Sequence, residues 1–510
     1  MVTSTSLNET SPDELERCAR DATTAFEQWS ALPARTRAQA LVGVADALID
    51  AADELVAIAA AETGLTEVRL RGELRRTAVQ LRLFADVVVD GGYLDVRVDL
   101  ADPEFVLGPR ADLRRTHVPI GPVLNFTASN FPFAFSVAGG DSASALAAGC
   151  SVIVKAHPGH PELSRRTGEI VRAALARWGA PADVLQVIFG QAAGVTLLGD
   201  PRVRAGAFTG SLRAGRLLAD VAASRSDRIP FYGELGSVNP QFVTRARLAD
   251  DATSLAEGYV ASVSMSAGQF CTKPGFLFVP DVAAIASSIA SAAALVPEHR
   301  MLNPHIAASY QRRRETVLEC VGVDVIALGG LRVDGDAQGW ATPTIVSVSL
   351  AALESVGGPL LDECFGPLSV VVAYEREFEL PDVARRLFPG NLTGGVHALA
   401  DESTPELAAL VDVLARLSGR VLFNGWPTGV AVTPAMQHGG PWPATTSDAG
   451  TSVGTAAIQR FLRAVSYQNV PAHLLPPVLR DGESSVPRRV SPAGESTTWG
   501  ARASADQPGQ

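Results

Sequence analysis

The sequence predicts an α/β protein: a doubly wound, Rossmann-type parallel sheet followed by a second, separate α/β domain. Three observations predict it. Over residues 11–90 apolar positions recur every three or four residues, as in DELERCARDATTAFEQWSAL and RTRAQALVGVADALIDAADELVAIAAAET, the spacing of amphipathic helices. From residue 118 strand-like runs alternate with helical ones, which indicates a parallel sheet covered on both faces. A second alternating stretch fills about 235–425, with helices near 249–265 and 281–295 and the strand-like LSVVVAY, enough for a domain of its own.

In order, the helical lead-in gives way to VPIGPVLNFTA, a strand, then DSASALAAG, a short helix, and CSVIVKA, a buried strand. ELSRRTGEIVRAALARWG reads as a helix, VLQVIFG and AGAFTG as strands, and SLRAGRLLADVAAS as a helix leading to a last apolar stretch. The final 30 or so residues, DGESSVPRRVSPAGESTTWGARASADQPGQ, are rich in Ser, Pro, Gly and charge. Such a composition buries too little apolar surface to order itself, so residues 477–510 are expected to be disordered.

Composition excludes several function classes. A chain of 510 residues, 47% hydrophobic and 19% charged, has material for more than one buried core. Its net charge of -11 offers no broad basic surface, so nucleic acid is not an expected partner. No apolar run approaches the roughly 20 residues of a membrane span, and MVTSTSLNETSPDELER lacks the basic-then-apolar order of a signal peptide. The cytoplasm is the expected location. Five scattered cysteines form no C-x-x-C pair, and HPGH (157–160) has no Cys or carboxylate beside it, so no metal is expected. Only Lys155 and Lys273 are lysines among 43 basic residues. A lysine kept against such an arginine bias marks a place where a guanidinium is too wide, or is a chance survivor.

Both lysines lie in or beside stretches that can carry chemistry. No GxGxxG fingerprint is present, but FTGSLRAG ends a strand and opens a helix at Gly210 and Ser211; unpaired N–H groups there suit an anion, or Ser211 is simply an N-cap. Lys155 ends the strand SVIVKA, at the sheet edge where open α/β folds bind ligands. Asn130, in TASNFPF, can aim an amide at an oxyanion or brace its own turn. Glu234, in FYGELGSVNP, follows an apolar strand, where burial would raise its pKa and suit it to general base work. Cys271, in SAGQFCTKPG, is a thiol at an element end near a lysine, more readily ionised than a core cysteine.

In their order along the chain, NFPF, VKAHPGHPE, FTGS, ELGSVNP, GQFCTKPG, ECFGPLSVV and FNGWPTG resemble the aldehyde dehydrogenase superfamily from roughly residue 12 to 475. The resemblance implies a dimer- or tetramer-forming enzyme, with helical lead-in and dinucleotide-binding domain at 1–110 and 119–233 and catalytic domain at 234–424. Residues 111–118 and 440–476 would form an oligomerisation arm and the return to the cofactor domain. It makes Cys271 the nucleophile, Glu234 the general base, and Asn130 the oxyanion donor together with the Cys271 backbone N–H. Lys155 would bind the adenine ribose, Ser211 the pyrophosphate, and Glu363 with Phe365 the nicotinamide riboside, with Gly210 and Leu235 also binding the cofactor.

The longer stretches KAHPGHPE, RVLFNGWPTGV, MQHGGPWPATT and TSVGTAAIQRFLRAVSYQNVP are similar to the branch that oxidises 2-oxoglutarate semialdehyde, an intermediate of pentose, hexarate and hydroxyproline breakdown. A related branch oxidises long-chain aldehydes with NADP. Acyl transfer to coenzyme A is disfavoured by Glu234, and a non-catalytic scaffold by the presence of both Cys271 and Glu234. The sequence departs from the family pattern in four places. Pro158 stands where NAD-preferring members carry an acid; losing that carboxylate removes a repulsion against a 2′-phosphate, so NADP is the expected cofactor, with NAD usable. Ser129 replaces an aromatic, and Ala431, Thr433 and Pro434 alter a loop bordering the substrate tunnel. Lys273 is an addition, expected to lower the pKa of Cys271.

Overall fold

The computed structural model describes residues 9–482, 486–501 and 503. Four helices lead in, Pro12–Ala31, Ala34–Asp50, Ala52–Thr63 and Glu67–Asp90. The first starts on a Ser11/Glu14 capping box, which satisfies two N-terminal donors at once; the last runs from a Thr66 cap to Gly91 in the left-handed conformation. Their apolar stripes close over the short helix Gly140–Ala148 in the largest core cluster. Trp29, fully buried there, donates its indole N–H to the Leu146 carbonyl at 2.9 Å, so the large ring is buried without stranding a donor.

Strands Leu185–Ile188, Val152–Lys155, Val123–Phe126, Ala205–Thr209 and Phe231–Glu234 lie side by side in that order, all parallel. Strand order reverses between Val123–Phe126 and Ala205–Thr209, the switch point beside which doubly wound sheets leave a crevice at their carboxyl ends. Those ends carry Phe126, Lys155, Thr209 and Glu234. A helix that the sequence reading lacks, Gln191–Leu198, connects two of the strands. It is short and apolar all round, so it has no stripe to betray it.

The second domain is built on a seven-stranded sheet whose order begins Asp324–Ala327, Thr344–Ser349, Leu368–Ala373, Phe276–Val279 and ends Gln241–Val243, Asn391–His397, Ser418–Phe423. All neighbours are parallel except the first pair. Residues 235–240, 271–275 and 363–367 are the segments entering its central strands. The site thus lies between the carboxyl ends of one sheet and the amino ends of another.

A four-stranded sheet runs in the order Leu462–Gln468, Leu113–Pro119, Val96–Asp99 and Arg488–Ser491. It differs from the expected arm at 111–118 and 440–476: it recruits residues 96–99 and 488–491, while residues 438–454 fold onto the Glu234 strand instead. The expectation of a disordered tail is corrected for residues 477–482 and 486–501. Arg488–Ser491 pairs in parallel with Val96–Asp99, Leu479 is buried with Val96 and Val98, and Trp499 meets the edge of Phe105 at 5.9 Å. Composition counts only what a segment buries by itself; a strand added to an existing edge gains its backbone partners from that edge. Residues 483–485, 502 and 504–510 lie outside the described residues.

Candidate active site

Eight of the nine residues singled out from sequence, all but Lys155, line one chamber of about 340 Å³ where the two sheets meet. Cys271 reaches it through an unusual turn: Ser266, Ala267 and Gly268 have φ of 48°, 55° and 64°. Left-handed backbone at non-glycine residues is costly and persists only where surroundings impose it. Here a Cβ on Gly268 would lie 2.4 Å from the Gly366 carbonyl, so the turn is pressed against the ECFGP segment. Asn239 clamps the other side. Its amide donates to the carbonyls of Cys271 (2.8 Å) and Lys273 (3.0 Å), and its oxygen accepts from Ser237 and Thr393.

Glu234 ends its strand fully within the protein and is held from two sides. Ser452 donates a short hydrogen bond to one carboxylate oxygen, and His438 Nε2 lies 2.9 Å from the other. The same Nε2 is 3.7 Å from Cys271 Sγ. One donor atom each of Glu234, Cys271 and His438 therefore fall within 4.8 Å of one another. His438 is itself fixed by Thr451, which accepts its backbone N–H at 2.8 Å, and by Ser452 N–H on its carbonyl at 2.8 Å.

These partners reverse one expectation. Burial pushes the Glu234 carboxyl up, but His438, Ser452 and Arg460 together outweigh it, so its pKa lies below the ordinary carboxylate value rather than above. Cys271 is shifted the other way: burial first, then the charges of Glu234 and Glu363, push its thiol well above the ordinary range. An unaided thiolate is scarce at neutral pH under those conditions. His438 Nε2, 3.7 Å from Sγ, is the donor in reach that can stabilise the thiolate. In His438→Gln, alkylation of Cys271 by iodoacetamide should be at least about tenfold slower than wild type at pH 7. Because a raised pKa leaves the thiolate absent below it, the gap should close as pH climbs toward that pKa; superimposable pH profiles would exclude the role.

The expectation for Lys273 is also corrected. Its ammonium turns away from the thiol and donates to the Leu368 carbonyl at 2.6 Å, buried beside Glu363 and Cys364. Burial raises the Glu363 carboxyl to about 7, with Lys273 opposing. The lysine therefore serves Glu363, which in turn packs on the chain at Gly236, where a Cβ would fall 2.2 Å from a carboxylate oxygen.

Asn130 is buried, with one amide N–H on the Gln269 carbonyl at 3.0 Å and its backbone carbonyl accepting from Arg69. An amide nitrogen has two hydrogens, so one stays available to the chamber. Ser211 caps the helix Leu212–Ser224 through Ala214 N–H at 3.3 Å, and Gly210 N–H is committed to the Glu234 carbonyl at 3.0 Å. Thr209 Oγ1, by contrast, lines the chamber buried and without a hydrogen-bond partner. Lys155 ends a strand two places along the sheet from that of Thr209, its charge disfavoured by burial and favoured by Glu9 of the N-terminal segment. In HPGH both nitrogens of His160 are within bonding distance of protein oxygens, Ser164 Oγ at 3.1 Å and the Ala128 carbonyl at 2.9 Å. His438, Ser452 and Asn239 were not singled out from sequence. The signal lay in MQHGG and VNP: a histidine and an asparagine set in glycine- or proline-fixed turns.

Comparison with known proteins is consistent with this architecture. Residues 3–466 match the model of the aldehyde dehydrogenase family. The chain is 41% identical to the alpha-ketoglutaric semialdehyde dehydrogenase of Acinetobacter baylyi, over 92% of this chain and 89% of that protein. With alpha-ketoglutaric semialdehyde dehydrogenase 2 of Azospirillum brasilense it shares 42% identity, over 93% and 90%. In fold it is similar to an AldC mutant of Pseudomonas syringae solved with NAD+ and octanal (TM-score 0.74, 21% identity, 89% of each chain). It is also similar to GapN of Methanocaldococcus jannaschii solved with NADP (TM-score 0.75, 20% identity, 90% of this chain and 95% of that one). With a family match over nearly its whole length and a thiol, an imidazole and a carboxylate converging beside the crevice of a doubly wound sheet, the chain belongs to the aldehyde dehydrogenase family.

Proposed function

We propose that the protein oxidises 2-oxoglutarate semialdehyde, the same compound as alpha-ketoglutaric semialdehyde, to 2-oxoglutarate, with NADP as the preferred acceptor and NAD usable. The observation that carries the chemistry is the convergence of Cys271, His438 and Glu234; the substrate rests on the two relatives above.

The Cys271 thiol gives its proton to solvent, and His438 Nε2–H, 2.9 Å from Glu234 and 3.7 Å from Sγ, donates toward the thiolate left behind. The Cys271 thiolate adds to the aldehyde carbon. The resulting oxyanion is met by the free amide hydrogen of Asn130 and the backbone N–H of Cys271, donors already in place and worth about 3 kcal/mol each. Lys155, at its strand end, would hold the ribose of the dinucleotide, Gly210 and Ser211 its pyrophosphate with the unpartnered Thr209 hydroxyl beside them, and Leu235, Glu363 and Phe365 its nicotinamide end. When bound, the dinucleotide supplies the acceptor for the hydride that leaves the thiohemiacetal carbon. A thioester on Cys271 remains. Glu234, ionised throughout the neutral range, draws a proton from water, which attacks the thioester and frees the acid and the thiol.

Pro158 presents no carboxylate to a 2′-phosphate. Pro158→Glu should lower the ratio of kcat/KM for NADP over that for NAD by about tenfold or more; an unchanged ratio would place the preference elsewhere. A cytoplasmic homo-oligomer, dimer or tetramer, is part of the same reading. Supporting it, the four-stranded sheet leaves Leu462–Gln468 as an edge strand, and no helix among the described residues is long and apolar enough to cross a membrane.

One observation favours a second reading. Val430, Val432 and Met436 pack with Phe131 and Phe135 beside the chamber, an apolar wall suited to an uncharged long-chain aldehyde. A spectrophotometric screen separates the two: kcat/KM for 2-oxoglutarate semialdehyde should exceed that for octanal, and the reverse order would favour the long-chain reading.

A further inference from the structure

We infer that Arg76 reads the carboxylate at the far end of the substrate; the inference rests on the semialdehyde reading above. Helix Glu67–Asp90 places Arg69, Gly72, Glu73 and Arg76 on one stripe, three, four and seven residues apart. That stripe, with Phe131 and Phe270, lines a second cavity of about 460 Å³, which shares Phe131 with the reaction chamber. The Arg76 guanidinium lies over Phe135, 5.5 Å from its ring centre, and that ring stands 6.2 Å from the ring of His438. It is close enough to the reaction centre to feel the charges of Cys271 and Glu234.

The other charged groups nearby are already committed. Arg69 donates to the Asn130 carbonyl and stacks between Phe131 and Phe270, 5.1 Å from each. Glu73 accepts the backbone N–H groups of Phe133 and Ala134, at 2.8 and 3.0 Å. Arg420, which also feels Cys271, donates to the carbonyls of Pro427 and Gly429. Arg69 Nη1 and Arg76 Nη1 are both buried without a hydrogen-bond partner, but Arg69 is anchored through Nη2 to Asn130, whereas Arg76 makes no hydrogen bond among the described residues. The stripe therefore sets two guanidinium groups, Arg69 and Arg76, against the single carboxyl of Glu73, leaving positive charge for an incoming anion to meet. A monocarboxylate end supplies that anion, and the aromatic rings around it exclude the water that would weaken the pair. Gly72 keeps the cavity open between the arginines: nothing lies within 4 Å of where its Cβ would stand.

The test is steady-state kinetics with 2-oxoglutarate semialdehyde and pentanal, an uncharged aldehyde of equal chain length, at saturating NADP, on wild type, Arg76→Leu and Arg76→Lys. In Arg76→Leu the kcat/KM ratio of semialdehyde over pentanal should fall by about a hundredfold, mainly through the semialdehyde KM, as expected when one partner of a shielded ion pair is removed. Arg76→Lys, which keeps the charge but loses the fork, should lie between the two and gives the answer should the leucine variant fail to fold. An equal loss on both aldehydes would mark a structural role and overturn the inference, as would an unchanged ratio. A wild-type enzyme that prefers pentanal would overturn the semialdehyde reading itself; a wild-type preference for the semialdehyde that survives in Arg76→Leu overturns the inference alone.

Discussion

Cys271→Ala should reduce aldehyde oxidation by on the order of 10⁴-fold or more, because no second nucleophile can take the place of the lost thiol. The other cysteines are buried or distant. Burial raises Cys18 and Cys150 to about 12 and Cys364 to about 11, and Cys320 hydrogen-bonds to the Thr316 carbonyl of the helix that ends just before it. None of them lines the chamber. The substitution leaves the crevice of the first sheet untouched, so NADP affinity, read by quenching of intrinsic fluorescence, should stay within about threefold of wild type. Residual turnover above about one per cent, after active-site contamination is excluded, would mean that the covalent route is wrong.

Glu234→Gln should separate the two halves of the reaction. Glutamine keeps the shape, and Ser452 can still bond to its oxygen, but it cannot draw a proton from water. Steady-state kcat should fall about 10²- to 10⁴-fold, with one equivalent of NADPH per site released in a burst before the stall. The wild-type pH profile carries a second consequence. Because the Glu234 pKa lies below the ordinary carboxylate value, the base stays ionised as pH falls from 8 to about 6, and deacylation should not weaken on that limb through Glu234. A steep loss between those values in a rate limited by deacylation would instead demand a raised pKa.

Burial of Glu234 is readable from FYGELGSVNP, but the direction of its pKa is not, since Ser452 and His438 join it only when residues 438–454 fold back onto its strand. His438 lies 167 positions from Cys271, and nothing local in MQHGG says which residue it will meet. Lys273 shows the opposite hazard. It is two positions from the nucleophile, yet the turn carries its ammonium to Leu368, so nearness in sequence misled. The alternating strands and helices of the first domain were legible because each buries a continuous apolar run; Gln191–Leu198, apolar all round, and Arg488–Ser491, stabilised by a borrowed sheet edge, were not.

The most direct test of the account is intact-mass and peptide mass spectrometry of Glu234→Gln mixed with 2-oxoglutarate semialdehyde and NADP. The account predicts one 2-oxoglutaryl group per chain, mapped to Cys271, formed in step with the NADPH burst and absent when NADP is omitted. NADPH formation with no adduct on Cys271, or an adduct on any other residue, would contradict it.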